Sequence, residues 1–488
     1  MKAKAQSYGK RGRENIAVLM QQLHVSSPSK PVTTRIPSLG NEELLTANDI
    51  TKAQLASVGS NTQKEKTSAR RQVKARKPKR RSLVPCEQHP IRTADMGNGM
   101  SRHLQPLLNL NDVNSEVLDF ESWAATWSRC CRFNKIAQGA FGAVFRIESK
   151  AQPGTFTIGK LIPLQSKSGW GCKTKEFTTV RSAANEVFFL STLDEIDGFV
   201  QFRKAEILCG QLPGCLLAAS TKFDKMTDET TQRFHQACAY PKQIWLFIEM
   251  SDAGIDLETA LKADRSTKDG SILQGAMKER YLSVVQARDI FWQVASTLAV
   301  AEKKLEFEHR DLHLGNICLS HPYKRIVADD SSELWTDNPS INVTIIDYTL
   351  SRAKPANSDT VFNNLSSHPD IFTGKGHAQY DVYRAMKALA DEQDQRWEAY
   401  MPSTNVFWLS HVLELLLQSA TLSQQSPEHV QLWHALDELR RHLGGPRPYF
   451  ASAQEVVVRC EMEASVWRSL GGPEDMMKEP FKITCSGV

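Results

Sequence analysis

The segment FEHRDLHLGNICL, residues 307–319, places an aspartate and an asparagine five positions apart between apolar flanks. Phosphoryl transfer needs this combination, because a carboxylate must accept the hydrogen bond of the attacking hydroxyl while nearby oxygen atoms hold magnesium. The pattern H-R-D-x-x-x-x-N supplies both groups from one loop. We therefore predict that Asp311 is catalytic and that Asn316 is a metal ligand, although so short a pattern also arises by chance in ordinary loops.

Two further segments have residues suited to phosphate chemistry. VTIIDYTLSR ends an apolar strand at Asp347, where kinases place the magnesium-binding aspartate of Asp-Phe-Gly. IAQGAFGAVF, residues 136–145, is predicted to form a strand, a glycine turn and a second strand, so that backbone N–H groups can approach phosphate oxygens. Ala137 replaces the first glycine of G-x-G-x-x-G, and alone this segment also fits an ordinary hairpin.

A lysine and a glutamate complete the set of residues suited to phosphate chemistry. Lys160 lies in the apolar strand TFTIGKLIPL, eighteen residues after Gly142, and Glu186 lies in the predicted helix SAANEVFFLSTL. Each also has a purely structural interpretation, as an edge-strand charge and as part of a solvated helix face. Together they match the lysine–glutamate pair that positions ATP phosphates in kinases. The five elements, in this order, predict an ATP-dependent kinase.

The elements that must position these residues form two blocks. Predicted strands such as QIWLFIEM dominate residues 130–250, and predicted helices such as ARDIFWQVASTLAVAEKK and VFWLSHVLELLLQSA follow residue 255. This order predicts an α+β, bilobal protein-kinase fold with a small β-rich N-lobe and a larger α-helical C-lobe. We predict a basic, largely disordered arm at residues 1–104, the N-lobe with a preceding helical segment at 105–250, and the C-lobe with a C-terminal extension at 251–488.

Charge is unevenly distributed along the 488 residues. Residues 1–102 contain 20 Lys and Arg against 7 Asp and Glu, whereas residues 103–488 contain 40 against 48. A basic arm and an acidic remainder suggest two different partners. Within the arm, RRQVKARKPKRR (residues 70–81) has eight basic residues in twelve. We interpret it as a nuclear-import or nucleic-acid contact segment, with a solvated linker as the alternative.

Composition argues against several protein classes. The N-terminus lacks an apolar segment of signal-peptide type, and no stretch approaches the roughly 18 continuous apolar residues of a membrane span. The ten cysteines include no C-x-x-C pair, so zinc-type spacing is missing. We expect an intracellular, nuclear chain with reduced thiols and no membrane partner.

The residues also show a family resemblance. HRDLHLGN followed by IIDYTLSR resembles the haspin family of atypical eukaryotic serine/threonine protein kinases, which has histidine for the usual catalytic-loop lysine and Asp-Tyr-Thr for Asp-Phe-Gly. The likeness extends through EMSDAGIDLE, DIFTGKGHAQYDVYRAMK and RWEAYMPSTNVFWL, and covers roughly residues 120–470. No motif in the basic arm matches.

The resemblance implies the cofactors ATP and magnesium and a set of site residues. Asp311, Lys160, Glu186 and His313 would be catalytic, and Asn316 and Asp347 would bind the metal. His313 would contact the γ-phosphate, with a role in propping the loop as the alternative. The implied ATP contacts are Ile136, Ala137, Gln138, Gly139, Ala140, Phe141, Gly142, Ala143, Val144, Lys160, Ser251, Asp252, Ala253, Gly254, Ile255, Asp256, Asp311, Leu312, His313, Leu314, Gly315, Asn316, Asp347, Tyr348 and Thr349, with Met250 behind the adenine.

The resemblance further implies a substrate, a threonine near the N-terminus of a core histone tail that is phosphorylated in mitosis on chromosomes. The acidic balance after residue 102 suits such a cationic tail. One departure concerns the segment FNNLSSHPDIFTG, which has Asn364 and His368 where acidic side chains are expected, although Asp370 is present. We expect a monomer that contacts a histone tail, and chromatin or nucleic acid through its arm.

Two other functions remain open at this stage. Small-molecule kinases of the aminoglycoside and choline type share the H-x-D-x-x-x-x-N loop, but Arg310 and the Asp-Tyr-Thr tripeptide argue against them. A catalytically impaired kinase-fold scaffold is the second alternative, and Ala137 is the single feature that favours it.

The activation segment suggests how activity is controlled. The 33 residues between Asp347 and Asp381 contain no Ala-Pro-Glu anchor, and Thr349 replaces the flexible glycine after the metal-binding aspartate. We expect Ile371 and Phe372 to hold this segment against the helical lobe, so that the enzyme is active without phosphorylation.

Overall fold

The computed structural model of the chain describes twelve segments between residues 90 and 460. The described residues are 90–91, 93–139, 142–165, 177–227, 237–238, 240–263, 282–320, 341–356, 358–394, 396–420, 427–445 and 448–460. The basic run at 70–81 lies outside them, and the predicted domain boundaries stay a prediction.

The N-lobe is built on a seven-stranded sheet of order β1-β2-β6-β7-β5-β4-β3. Its strands are β1 (Pro90–Ile91), β2 (Val113–Asp119), β3 (Cys131–Gln138), β4 (Ala143–Ser149), β5 (Phe156–Pro163), β6 (Phe202–Cys209) and β7 (Ile244–Ser251). Strands β2 and β6 run parallel, and the other neighbours run antiparallel. Consecutive strands β3, β4 and β5 therefore carry the glycine turn and Lys160 next to one another.

Both faces of this sheet are buried, as the alternation of side chains in β7 shows. Trp245 and Phe247 pack in one apolar cluster with Trp123 of α2 (Phe120–Cys130), whereas Leu246 and Ile248 pack in the other. The Phe247 and Trp123 rings meet edge to face, 4.7 Å between centroids. Helix α2 begins where Asp119 accepts a hydrogen bond from the backbone N–H of Ser122, a favourable N-terminal cap.

Two helices flank the second face of the sheet. Helix α1 (Thr93–Leu108) contacts α3 (Val180–Leu193), and their apolar side chains share the larger core. His103 of α1 also hydrogen-bonds the carbonyl of Gln165 at 2.8 Å. Because α3 carries Glu186, this packing sets the position of one predicted site residue. Helix α4 (Gly214–Thr227) packs against β3.

The C-lobe is mainly helical. Its helices are α5 (Leu257–Ala263), α6 (Val284–Leu305), α7 (Asp370–Thr373), α8 (Gln379–Glu392), α9 (Ser403–Ser419) and α10 (Pro427–Leu443), and residues 453–460 are also helical. Strands β8 (Ile255–Asp256), β9 (Ile317–Ser320) and β10 (Asn342–Ile345) form a small sheet of order β10-β9-β8, and β11 (Arg352–Ala353) pairs with β12 (Val361–Phe362). Helix α6 starts with a capping box between Ser283 and Gln286.

This architecture confirms the predicted α+β, bilobal kinase fold. The segments predicted as helices become α3, α6 and α9, and the segments predicted as strands become β3, β4, β5, β7 and β10. Among the described residues, no helix is both long and apolar enough to cross a bilayer.

Candidate active site

Lys160 lies between two carboxylates that belong to other elements of the fold. Its Nζ is 2.5 Å from Oε1 of Glu186 and 3.7 Å from Oδ2 of Asp347. Burial alone would lower the pKa of Lys160, but Asp347 and Glu186 raise it above its ordinary value, so the amine stays charged. The structure therefore joins residues from β5, α3 and the segment after β10 into one charged group.

The glycine turn between β3 and β4 lies above this group. The backbone N–H of Gly139 donates to the carbonyl of Gly142 at 2.9 Å, which closes the turn. A Cβ on Gly142 would lie 2.4 Å from the carbonyl oxygen of Leu161, so only glycine fits there. Ala140 and Phe141 lie outside the described residues. Ile136 is 40% exposed, as expected for an apolar residue beside an open cleft.

The hinge connects β7 to β8. The Thr157 hydroxyl donates to the carbonyl of Met250 at 2.7 Å, which ties β5 to the hinge. Asp252 makes an ion pair with Arg146, with Nε 3.0 Å from Oδ2. Gly254 has a φ of 94°, and a Cβ there would lie 2.0 Å from the Leu319 carbonyl oxygen. The chain thus turns tightly from the hinge into β8, next to β9 and the catalytic loop.

The catalytic loop brings Asp311 and Asn316 together through hydrogen bonds. Asn316 Nδ2 donates to the Asp311 carbonyl at 2.8 Å, and the Asp311 N–H donates to His309 Nδ1 at 3.3 Å. The His309 Nε2 group donates to the carbonyl of Ile346 at 3.1 Å, so the loop is tied to the residue before Asp347. Burial raises the pKa of Asp311 to about 6 and lowers that of His309 to about 4.

His313 lies two residues after Asp311 and supports the loop, which is one of its two predicted roles, whereas its contact with the γ-phosphate stays a prediction. Its Nδ1 accepts a hydrogen bond from the Gly315 N–H at 3.1 Å, so the ring supports the loop. Its Nε2 is left on the cleft side, 3.9 Å from Asp311 Oδ1. In this tautomer Nε2 carries the proton and is a donor for an anionic ligand.

Asp347 is held in an uncommon backbone conformation, with a φ of 59°. The N–H and hydroxyl of Thr349 donate to its Oδ1, at 3.2 Å and 2.5 Å. Burial alone would raise the pKa of Asp347, but Lys160 and the Thr349 hydrogen bonds lower it below its ordinary value. The carboxylate is therefore ionised. The side chain of Tyr348 instead enters the core, where its hydroxyl donates to the Ile345 carbonyl at 2.9 Å.

The donor set of Asn316 and Asp347 fits magnesium. Because the amide nitrogen of Asn316 is used by Asp311, its oxygen is left as a ligand beside an ionised carboxylate. Magnesium prefers such oxygen ligands and commonly binds through one or two protein groups together with phosphates and water. Among the described residues, no cluster of three or more His, Cys, Asp or Glu suits a metal held by protein alone.

Buried polar residues of the C-lobe hydrogen-bond the segment that leads into the catalytic loop. Asn405 of α9 accepts a hydrogen bond from the His309 N–H at 3.0 Å and donates to the Phe307 carbonyl at 2.9 Å. Glu308 accepts hydrogen bonds from the Met401 N–H and the Thr404 hydroxyl, each at 2.8 Å. The loop backbone is therefore fixed by the main helical core.

The structure adds residues that the sequence patterns missed. The Tyr383 hydroxyl donates to Asp311 Oδ1. Asn185, next to Glu186 on α3, donates to the Phe362 carbonyl at 3.2 Å and to Asn363 Oδ1 at 3.1 Å. Local motifs gave no signal for these contacts, because the partners are 72 to 178 positions apart in the chain.

The segment expected to meet the substrate is exposed. Asn364 caps a short 3₁₀ turn by accepting from the Ser366 N–H at 3.1 Å. Asp370 is exposed at the start of α7, and Phe372 stacks on Trp397 with 6.1 Å between centroids. Phe372 thus attaches this segment to the helical lobe, as expected.

Comparisons with known proteins agree with this geometry. The sequence profile described as Haspin like kinase domain matches residues 48–462. The chain is similar to the serine/threonine-protein kinase haspin homolog of Drosophila melanogaster, 31% identical over 297 residues, 58% of this chain and 48% of the relative. It is 30% identical to mouse serine/threonine-protein kinase haspin over 293 residues, 59% of this chain and 36% of the relative. The matches therefore span about half or less of these relatives.

Proposed function

The chain belongs to the haspin-like kinase family, and from this membership we propose that it transfers the γ-phosphate of ATP to a threonine in a basic histone tail during mitosis. One observation carries the phosphotransfer. Lys160, Glu186 and Asp347 form a joined charged group, and the adjoining loop presents Asp311 and Asn316.

Each of these residues has a distinct role in the proposed reaction. Lys160 binds the α- and β-phosphates, and Glu186 fixes its position. Asp311 accepts the hydrogen bond and then the proton of the threonine hydroxyl as that oxygen attacks the γ-phosphorus, and the bond from this phosphorus to the bridging oxygen breaks so that ADP leaves. Asn316 and Asp347 would hold magnesium, which supplies neutralisation of charge on the phosphate oxygens when it is bound.

Charge near the site supports a cationic substrate. Residues 103–488 carry eight more acidic than basic side chains. Glu258 lies next to the catalytic loop, since a Cβ on Gly315 would be 3.4 Å from its carboxylate oxygen. Asp370 is exposed in the segment that is expected to meet the substrate. Carboxylates at these two positions favour lysine or arginine beside the target threonine.

Phosphosite mapping tests the proposed substrate. The full chain is incubated with magnesium-ATP, core histones, choline and an aminoglycoside, with Asp311→Asn as the matched low-activity control. We expect phosphothreonine in an N-terminal histone tail, and about 10²- to 10⁴-fold slower labelling in the control. Labelling of the small amines alone, or of serine outside the tails, would contradict the proposal.

The nuclear and chromosomal location is a further part of the proposal and rests on the basic run at 70–81. Replacing its eight basic residues by glutamine should make a fluorescent fusion cytoplasmic or loosely held in dividing cells. Unchanged retention on chromosomes would contradict this assignment.

A further inference from the structure

Tyr383 contacts the catalytic aspartate from a separate element of the fold. It belongs to α8, is 4% exposed, and donates its phenol proton to Asp311 Oδ1. Burial, followed by the nearby Asp311 charge, raises the pKa of Tyr383 well above its ordinary value, so the phenol keeps its proton and acts as a donor.

The ring of Tyr383 is held on a rigid support. Trp408 meets it edge to face at 5.3 Å between centroids, and Trp408 is itself 0% exposed on α9. The same helix carries Asn405, which fixes the backbone at His309. Helix α9 therefore positions both the catalytic loop and the Tyr383 ring. The relative position of Tyr383 and Asp311 is thus determined by packing in the core.

The carboxylate of Asp311 has little other support. Asn316 donates to the main-chain carbonyl of Asp311, and His313 Nε2 is 3.9 Å from Oδ1, beyond hydrogen-bond range. Among the residues that the structure describes, Tyr383 is the only side chain that hydrogen-bonds this carboxylate. A carboxylate held by one donor depends on that donor for its orientation.

Arg384, the residue after Tyr383, connects α8 to α7 by hydrogen bonds. Arg384 donates to the carbonyls of Gly374 at 2.9 Å and Phe372 at 3.4 Å. Those carbonyls lie at the end of α7, next to the segment that is expected to meet the peptide. Adjacent residues of α8 thus position the catalytic carboxylate and this neighbouring segment.

We propose that Tyr383 is a positioning residue for phosphotransfer, whose hydroxyl holds Asp311 Oδ1 so that Oδ2 is presented to the attacking hydroxyl. The proposal rests on the phosphotransfer assigned to this site and not on the identity of the protein substrate. A misplaced carboxylate lowers the rate of the chemical step without weakening ATP binding.

Steady-state kinetics of the full chain with Tyr383→Phe provide the test. The substitution keeps the ring and its packing and removes only the hydroxyl. We expect kcat to fall about tenfold or more, with the KM for ATP and the melting temperature unchanged. Tyr380→Phe, which removes a hydroxyl one turn earlier on α8, is the matched control and should keep the wild-type kcat. The substrate is the best peptide from a serine/threonine array, so that the result is independent of histone recognition.

A second arm uses Asp311→Asn. Because Tyr383 acts through the Asp311 carboxylate, Tyr383→Phe should cost less than about twofold in the Asp311→Asn background. An equal loss in both backgrounds, a kcat within twofold of wild type, or a loss explained by weaker ATP binding would overturn the proposal. Peptide phosphorylation without histone phosphorylation would instead refute the proposed substrate and leave the role of Tyr383 standing.

Discussion

Arg310 donates to Glu308 across 3.0 Å, and both side chains are fully shielded from solvent. Other guanidinium nitrogens donate to the carbonyls of Trp397 at 2.8 Å and Ala399 at 3.4 Å. Many protein kinases order their activation segment by pairing a phosphorylated residue with arginine. In this protein the arginine of the catalytic loop is already occupied by the C-lobe, so it is not accessible to such a phosphate.

We therefore expect the enzyme to be active as synthesised. Bacterially expressed chain treated with phosphatase should match untreated chain in the initial rate of peptide phosphorylation. The phosphatase is removed before the assay, and intact mass spectrometry verifies that no phosphate is left. A tenfold or greater loss after treatment would show that a phosphate, and not the Arg310–Glu308 contact, holds the active form.

A contact between the lobes gives a second prediction. Asn185 of α3 holds Asn363, and Asn363 donates to the Thr349 carbonyl at 2.6 Å, two residues after Asp347. Asn363→Ala should lower kcat by about tenfold, because loss of these hydrogen bonds lets Asp347 move. Asn364→Ala, which removes the exposed side chain that caps the neighbouring 3₁₀ turn, is the matched control. With saturating peptide it should keep the wild-type kcat. Equal rates for both variants would contradict the role of this contact.

The raised pKa of Asp311 predicts an acid limb in the pH dependence of activity. With a pKa of about 6, the carboxylate becomes protonated as pH falls through 6 and can no longer accept the hydroxyl proton. The peptide kcat/KM should therefore decline about tenfold for each unit below that pH. A rate that is flat down to pH 5, with the protein still folded by circular dichroism, would contradict this prediction.

Two buried histidines predict how stability responds to acid. Burial lowers the pKa of both His309 and His411 to about 4, so they are neutral in the folded protein. Below pH 6.5 the unfolded chain binds protons that the folded chain does not, and stability falls until pH reaches about 4.

Between pH 6.5 and about 4, the free energy of unfolding should fall by about 3 kcal/mol for each histidine. Urea unfolding across this pH range measures it, and His411→Gln should remove part of the slope. His442→Gln, at an exposed histidine, is the matched control for the substitution itself. An identical slope in wild type and His411→Gln would contradict the prediction.

The sequence could predict the parts of the site that depend on short spacing. Asp311 and Asn316 lie on one loop, and Asp347 ends a recognisable apolar strand. The contact between Tyr383 and Asp311 could not be read in this way, because it depends on how α8 packs against α9. Arg310 shows the same limit, since its burial against Glu308 is a result of tertiary packing that no local motif indicates.

The most direct test of the active-site assignment compares wild type with Asp311→Asn and Lys160→Ala in phosphate transfer from magnesium-ATP to core histones. Circular dichroism and melting temperature establish that each variant is folded. We predict that wild type phosphorylates a tail threonine, that Asp311→Asn is slower by about 10²- to 10⁴-fold, and that Lys160→Ala has no detectable turnover. Near-normal turnover in either folded variant would contradict the account.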